Sequence, residues 1–406
     1  MNNNVKILIC LVLITALTGI ANSSSGIVLP QVEYAGNPVF TGAMNYDSVT
    51  VRDLFLFKEP IDGNYYLFIT GGNSTYWTIG VLNTMNPELT SWNDGGRILN
   101  IGEPGTWDSA GVGSPAVYDN TEVDGLYYMY YLGTNTTIGA VPTDYYQIGL
   151  ATCSNIDGQY IKYSENPILK PTLSSFDSRM VYSNSLPIKV NATTWMILYS
   201  SYDYPPSTTP HWRIGQAYSD DLINWKKTGT AIPLHYYANE EEPEIISFNG
   251  RNYLFTQYVA GTMPQFRLEV YINALGDTTY TKWEWLGELS GGQPFDYVIG
   301  SPTVAVFNND YITLMYDGDA SNSHYGRKVG LSRLNADTPP PTPTPTPTPS
   351  PTITIPTTLP TTVITTIPTT IPTPTKTKTN CAKGICKPVK SKGVVAFIFQ
   401  LFNIGE

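Results

Sequence analysis

An aromatic–Asp–Ser-like triplet returns five times along this chain, and a repeat of that kind limits the fold more than any other feature. It reads YDS at Tyr46, WDS at Trp107, FDS at Phe176 and FDY at Phe295, with YAN at Tyr237 in phase between the last two. Asp47, Asp108, Asp177, Asn239 and Asp296 stand 61, 69, 62 and 57 residues apart. A fixed period means one supersecondary unit used repeatedly. Each triplet leads into the same ladder. The first run is RDLFLFKEP, SPAVYDN, LPIKVN, EPEIISFNG or SPTVAVFNN, and the second is YYLFITG, YYMYYLG, TWMILYS, NYLFTQY or YITLMYD. The third is WTIGVLN, YQIGLAT, WRIGQAY, FRLEVYI or RKVGLSR, and a fourth ends several units on tryptophan, as in DLINWKKTG and YTKWEWLGE. Aromatic and β-branched runs bounded by Gly, Asn, Asp and Pro are strands joined by turns. Five four-stranded antiparallel sheets bury both faces by packing radially around a channel. The expected fold is therefore all-β, a five-bladed β-propeller over residues 26–337; a sandwich pair or a β-solenoid accounts less well for strand and loop counts.

Composition places that body outside the cell. Only 14% of residues are charged, Tyr (29) and Trp (8) are abundant, and the net charge is −10. This suits a secreted all-β protein and argues against nucleic acid or an anionic membrane as the partner of the folded part. Residues 1–25 read as a signal peptide, with an uncleaved membrane anchor as the alternative: Lys6, an apolar run from Ile7 to Leu17, and the small-residue stretch Gly19-Ile20-Ala21. Cys10 lies in that signal, Cys153 stands alone as a buried small residue, and Cys381 and Cys386 close at most one tail loop. Sequons at Asn73, Asn135 and Asn191 are compatible with export. Residues 338–380 are a Thr/Pro-rich linker held in extended polyproline geometry, reaching on the order of 100 Å. The tail, 381–406, is basic and then apolar from Val394 to Ile404, too short for the roughly 20 residues of a membrane span. It reads as a cell-envelope attachment or docking segment, with a disordered end as the alternative.

Positions that break the repeat separate function from scaffold. The triplet occurs in every unit and reads as a device joining blades, its Asp accepting backbone N–H groups. The first strand of each unit lines the funnel. In the first unit it starts with Arg52-Asp53 and in the fourth with Glu240-Glu241-Glu242, where the others offer Gly113-Ser114, Ser185-Leu186 and Gly300-Ser301. Carboxyls from separate blades are what glycosidic cleavage requires, an acid for the leaving oxygen and a base or nucleophile. Crowded like charges raise one pKa and keep that acid protonated. A solvated or calcium-binding acidic patch is the alternative.

These stretches resemble the five-bladed propeller glycosidases, the arabinanase/xylosidase family (family 43), the invertase/levanase family (family 32) and their relatives. VRDLFLFKEPIDGNYYLFITG resembles their first-blade Arg-Asp-Pro strand, with Leu54 in place of the proline. EEPEIISFNGRNYLF resembles the Glu-x-Pro stretch that carries the acid, and YSDDLINWKKTG and LATCSNIDGQYIKYSENPIL resemble their blade endings. The resemblance covers about 45–335 and implies Asp53 as base or nucleophile and Glu241 as acid. Internal alignment instead sets Glu242 opposite Asp53, Ser114 and Ser301. The family's second-blade Asp falls at Ala116, and its acid lies in the third blade rather than the fourth.

Arg52 and Arg179 also replace small or apolar residues near the funnel and suit sugar hydroxyls or a carboxylate, or an ion pair with Asp53. Trp77, Trp212 and Tyr76 start third strands and offer faces for sugar rings; His211 and His324 precede third strands, and Asp108 and Asp296 complete the sugar-binding candidates. Three histidines without a His/Cys cluster disfavour zinc, no cofactor is implied, and a calcium ion in the funnel needs only oxygens. The leading expectation is an exported glycoside hydrolase acting on an oligo- or polysaccharide of arabinose, xylose, fructose or a related sugar. A non-catalytic glycan-binding or adhesion propeller is the rival, and a structural surface-layer component a third reading.

Overall fold

The structure, a computed structural model, describes residues 31–334 except 61–62, 137–144, 183–184, 204–210, 235–238, 261–264, 290, 292–294, 307–310 and 321–325. The targeting segment, the Thr/Pro stretch, the tail with its two cysteines, Tyr237 and His324 lie outside the described residues. The first strand, β1 (Gln31–Glu33), belongs with the end of the chain. Unit 1 follows as β2 (Thr50–Lys58), β3 (Tyr65–Gly72), β4 (Trp77–Thr84) and β5 (Asn93–Leu99). Unit 2 is β6 (Gly111–Asp119), β7 (Tyr127–Thr134), β8 (Gln147–Cys153) and β9 (Ile161–Lys162), with one helical turn at Thr121–Asp124. Unit 3 is β10 (Met180–Tyr182), β11 (Ile188–Lys189), β12 (Trp195–Asp203), β13 (His211–Ser219) and β14 (Lys226–Lys227). Unit 4 is β15 (Glu240–Phe248), β16 (Arg251–Ala260), β17 (Gln265–Asn273) and β18 (Trp283–Leu289). Unit 5 is β19 (Val298–Val306), β20 (Ile312–Asp319) and β21 (Lys328–Leu334), completed by β1 in antiparallel register, Gln31 opposite Leu334.

Pairing within each unit is antiparallel and follows chain order, as hairpin-joined strands do. Between β15 and β16, for example, Asn249-Gly250 forms a two-residue loop with both φ positive, +47° and +73°. That is the twist-matched hairpin for which Asn-Gly is the preferred sequence. The sheets of units 1 and 2 are linked in backbone pairing by one parallel bridge, Trp77 to Gly111.

The cores lie between units rather than within them. Phe68, Val81, Val112 and Met129 join units 1 and 2; Tyr130, Ile148, Val181 and Ile197 join 2 and 3; Leu198, Ile214, Leu254 and Tyr271 join 3 and 4. Phe255, Val270, Ile299 and Leu314 join 4 and 5, and Val51, Leu67, Met315 and Leu331 join 5 back to 1. Burying one such side chain contributes about 1.5–3 kcal/mol, so no unit is expected to hold its shape without both neighbours.

A tyrosine–glycine pair explains much of the repeat. Tyr131, Tyr199 and Tyr316 of the second strands lie over Gly149, Gly215 and Gly330 of the third, where an added Cβ would meet ring atoms at 2.5, 2.2 and 2.4 Å. Each tyrosine hydroxyl donates to a triplet carboxylate: to Asp108 at 3.1 Å, Asp177 at 3.2 Å and Asp296 at 2.8 Å. Unit 1 puts the triplet's own Tyr46 over Gly80 instead. Unit 4 has neither partner, because Thr256 pairs with Glu269 at that place. Cys153 is half-buried against the core between units 1 and 2 rather than fully enclosed.

Candidate active site

Strand register defines equivalent positions in the five units. Arg52, Gly113, Tyr182, Glu241 and Gly300 all pair with the second-strand residue that follows the tyrosine position: Thr70, Leu132, Ser200, Gln257 and Asp317. The expected Ser185-Leu186 is therefore corrected: in unit 3 the equivalent place belongs to Tyr182. The first strand there is split into β10 and β11, and LPIKVN supplies only the second piece.

Four first strands carry a bulge directly after this place, between Arg52 and Phe55, Gly113 and Ala116, Glu241 and Glu244, and Gly300 and Thr303. Asp53, Ser114, Glu242 and Ser301 sit in these bulges with φ of +49°, +45°, +55° and +48°. Non-glycine residues pay about 1–3 kcal/mol for such backbone and keep it only where surroundings enforce it. What enforces it is a ring of bonds from each bulge N–H to the preceding unit. Asp53 donates to Asp317 Oδ2 (3.1 Å), Ser114 to Thr70 Oγ1 (2.8 Å), Glu242 to Ser200 Oγ (2.7 Å) and Ser301 to Gln257 Oε1 (3.0 Å). The bulge also resolves the crowding of the three glutamates, because it lets neighbouring side chains escape strict alternation.

Each glutamate has its own surroundings, and all three are buried, at 1, 5 and 1% exposure in order. Glu240 accepts from Thr256 Oγ1 and from the Tyr271 hydroxyl at 2.7 Å; burial pushes its carboxyl up to about 7. Glu241 accepts from Tyr182 Oη on one oxygen and Gln257 Nε2 on the other. Burial raises its pKa, while those two bonds and the Arg52 and Arg327 charges oppose the rise. Glu242 is pushed well above the usual carboxylate range, first by burial and then by the charges of Asp53, Glu241 and Asp317, with Arg52 pulling the other way. Its Oε2 is buried without a hydrogen-bond partner.

Asp53 behaves oppositely. Arg52 Nε donates to its Oδ1 at 2.8 Å, and Ser301 Oγ stands 3.4 Å from the same oxygen. Burial pushes this carboxyl up, but the Arg52 charge and hydrogen bond, a Thr70 bond and the Arg327 charge outweigh it and hold Asp53 below the usual range. Arg52 is itself placed over the Trp77 ring, 4.9 Å from the centroid. The third-strand position of Trp77 is filled by Tyr146, Trp212 and Phe266 in units 2 to 4, and in unit 5 by Arg327. Arg327 is 2% exposed, lies 5.0 Å from the Phe266 centroid and pairs through Nη1 with Asp317 Oδ1. Its Nε is buried without a hydrogen-bond partner. Gly300 makes room for it, since a Cβ there would meet Gln257 Oε1 at 1.8 Å and Arg327 Nη1 at 2.7 Å.

Asp53, Arg52, Trp77, Glu241 and Glu242 thus come together with Tyr182, Gln257, Asp317 and Arg327. Trp212 stands beside them, 6.0 Å from Tyr182 and 4.5 Å from Tyr202 between ring centroids. Arg179 turns to Tyr145, whose hydroxyl is 2.6 Å from its Nη1, and His211 Nδ1 lies 3.4 Å from Asp203. Asp108 and Asp296 are committed elsewhere. Asp108 takes the Tyr131 hydroxyl and Lys162 Nζ (2.6 Å), and Asp296 the Tyr316 hydroxyl, so both belong to the tyrosine–glycine scaffold. Among the described residues no group of three or more His, Cys, Asp or Glu is arranged to hold a metal. Arg327 and Asp317 were missed from sequence, although one cation among four aromatics at a repeated place was the available signal.

No family description and no curated protein matches the chain. Solved structures do. A protein solved in an RGII complex superimposes with a TM-score of 0.60 at 14% identity, over 77% of this chain and 93% of that one. An α-L-arabinofuranosidase from Lactobacillus brevis gives 0.55 at 13%, over 73% and 92%. A thermostable family-43 glycoside hydrolase gives 0.54 at 17%, over 77% and 98%. The chain has the β-propeller fold that structures of glycoside hydrolase families 43, 32 and 62 also have.

Proposed function

We propose that this protein is an exported five-bladed β-propeller glycoside hydrolase acting on an oligo- or polysaccharide, with Asp53 as base or nucleophile and Glu242 as acid. The observation that carries the reading is the contrast between two carboxyls at the same bulge position of units 1 and 4: Asp53 is held ionised by Arg52, and Glu242 is driven toward its neutral form. Glycoside cleavage needs one carboxyl of each kind. Glu242 offers an unengaged oxygen for the proton that goes to the leaving oxygen, and a water, or Asp53 itself, then takes the anomeric carbon. Glu241, fixed on both oxygens by Tyr182 and Gln257, and Arg52 over Trp77 are placed to orient sugar hydroxyls.

Ring geometry accounts for the departures from the resembled family. In a ring of five, unit 4 stands two steps from unit 1 through unit 5, as unit 3 does through unit 2. The carboxylate between the pair is then Asp317 in unit 5, whose charge raises Glu242, and Ala116 in unit 2 is left with no catalytic part.

The test is hydrolysis by the full chain of arabinan, xylan, fructan and mannan oligosaccharides and of aryl glycosides. Glu242→Gln should lower kcat about 10²–10⁴-fold on sugar leaving groups and much less on activated aryl ones, and Asp53→Asn should abolish turnover. Saturable glycan binding with no turnover, unchanged in both variants, would establish instead a glycan-binding propeller. That second reading is favoured by how little of the pair is exposed, 2% for Asp53 and 1% for Glu242. Export through residues 1–25 and attachment through the stalk and tail belong to the same proposal, and fractionation of producing cells tests them.

A further inference from the structure

We infer that the cavity between units 3 and 4 is a binding site for an aromatic ring and receives the leaving group of the glycosides cleaved in the funnel. The second half of this inference rests on the proposed function, with Glu242 as acid; the first half does not. The cavity, about 440 Å³, is lined by Trp212, Ile214, Ala231, Ile232 and Leu234 of unit 3 and by Glu240 of unit 4. Small-molecule sites span roughly 300–1,000 Å³.

Its position follows from the repeat. In units 2, 3 and 5 a tyrosine ring lies on a third-strand glycine and fills the face turned toward the preceding unit. Unit 4 has Thr256 and Glu269 there, so no ring lies at that place; Tyr271, two residues further along the third strand, packs against unit 3 and reaches Glu240 instead. The strand β15 is a shared wall: Glu240 is held on the cavity side by Thr256 and Tyr271, and Glu242 enters the funnel two residues later. Trp212 closes the gap from the other side, against the Tyr182 ring whose hydroxyl bonds Glu241. Trp212 and Glu240, one on each wall of this cavity, thus border the residues that hold Glu241 and Glu242.

The lining selects the ligand. Both Glu240 oxygens are already bonded, and Arg213 and His211, which also line the cavity, face Asp203 at 3.4 Å each. His211 Nδ1 is buried and makes no hydrogen bond, with Asp203 Oδ1 3.4 Å away. A second sugar would bring several hydroxyls into this aliphatic wall, each costing about 1–3 kcal/mol when left unmatched. A phenolic ring brings one oxygen and a flat apolar body.

The experiment is a calorimetric titration of the full chain with 4-methylumbelliferone alone. One saturable site is expected, weakened at least tenfold by Ala231→Trp, which fills the cavity, and by Leu234→Asp, with unchanged melting temperatures confirming the fold. Glu242→Gln should leave the affinity unchanged. No saturable binding to the wild-type chain, or equal affinity in both cavity variants, overturns the site. Phenol binding in a chain that hydrolyses no glycoside sinks the funnel reading and leaves the aromatic site standing; hydrolysis without phenol binding does the reverse.

Discussion

Replacing Arg327 by methionine tests the buried polar cluster around Asp317 without assuming any activity. The guanidinium and its partner Asp317 have side-chain exposures of 1% and 0%, and the carboxylate's other oxygen receives the Asp53 N–H. Removing one partner of such a buried pair leaves an uncompensated charge, a loss of about 3–5 kcal/mol. Methionine keeps the apolar contact with Phe266, so little of that loss comes from packing. At about 2 °C per kcal/mol for a domain of this size, the melting temperature should fall by roughly 6–10 °C. Asp317→Asn should cost a similar amount by stranding the guanidinium. The double variant is the decisive one, because asparagine still accepts from the Asp53 N–H and neither position of the pair is left charged. It should lie within about 1–2 kcal/mol of the parent, giving a coupling energy of several kcal/mol in a double-mutant cycle by urea unfolding. Additive losses, or a single-variant loss under about 1 kcal/mol, would show that the pair is solvated and would refute the reasoning.

Three other outcomes follow from the same geometry. Arg52→Met removes the main opponent of burial at Asp53, so its pKa rises and the acid limb of any pH–activity profile should move to higher pH; because Arg52 also pulls Glu242 down, the alkaline limb should move the same way by a smaller amount. Glu244, pushed up to about 8 by burial, has a folded pKa above its unfolded one, so its stabilising contribution is complete below about 4.5 and is lost as pH rises through 8. Unfolding free energy should therefore decline across that window by up to about 1.4 kcal/mol per pH unit for this group, and Glu244→Gln should flatten the decline; an unchanged slope would exclude Glu244 as its source. Gly149→Ala would drive a Cβ to 2.5 Å from the Tyr131 ring and should lower stability by about 1–3 kcal/mol in denaturant titrations, whereas Gly96→Ala, with nothing within 4 Å, should cost only its backbone strain.

What sequence revealed and what it hid divide along physical lines. Strands and their order were legible because β-branched and aromatic runs between turn residues depend on local chemistry. Asp53 and the glutamates were legible because they stand where other units have small neutral residues. The bulges were not, since a left-handed residue is a backbone state that aspartate, glutamate and serine all enter here without any mark in composition. Their consequence, that Glu241 and Glu242 both reach buried polar surroundings, was therefore hidden as well. Unit 3 was misread by three residues because its first strand is broken, so the proline-led run looked like a beginning and is a continuation. Arg327 was passed over because its place, three residues before the third-strand glycine, is only recognisable once hydrogen-bond register aligns the units. Asp108 and Asp296 show the reverse error: acidic residues beside a presumed funnel that in fact answer tyrosine hydroxyls.

The bulge positions have a consequence that belongs to arithmetic as much as to chemistry. With five stations on a circle, any two that are not neighbours are separated by the same chord. A carboxyl pair can therefore migrate around such a ring from one combination of units to another while its spacing is conserved by the scaffold. What changes is the sense of rotation, clockwise or anticlockwise, in which a bound polymer meets first the acid and then the base. Under the proposed function, exchanging a few residues at existing stations would reverse the direction in which a polymer is read, with no change in the length of any strand.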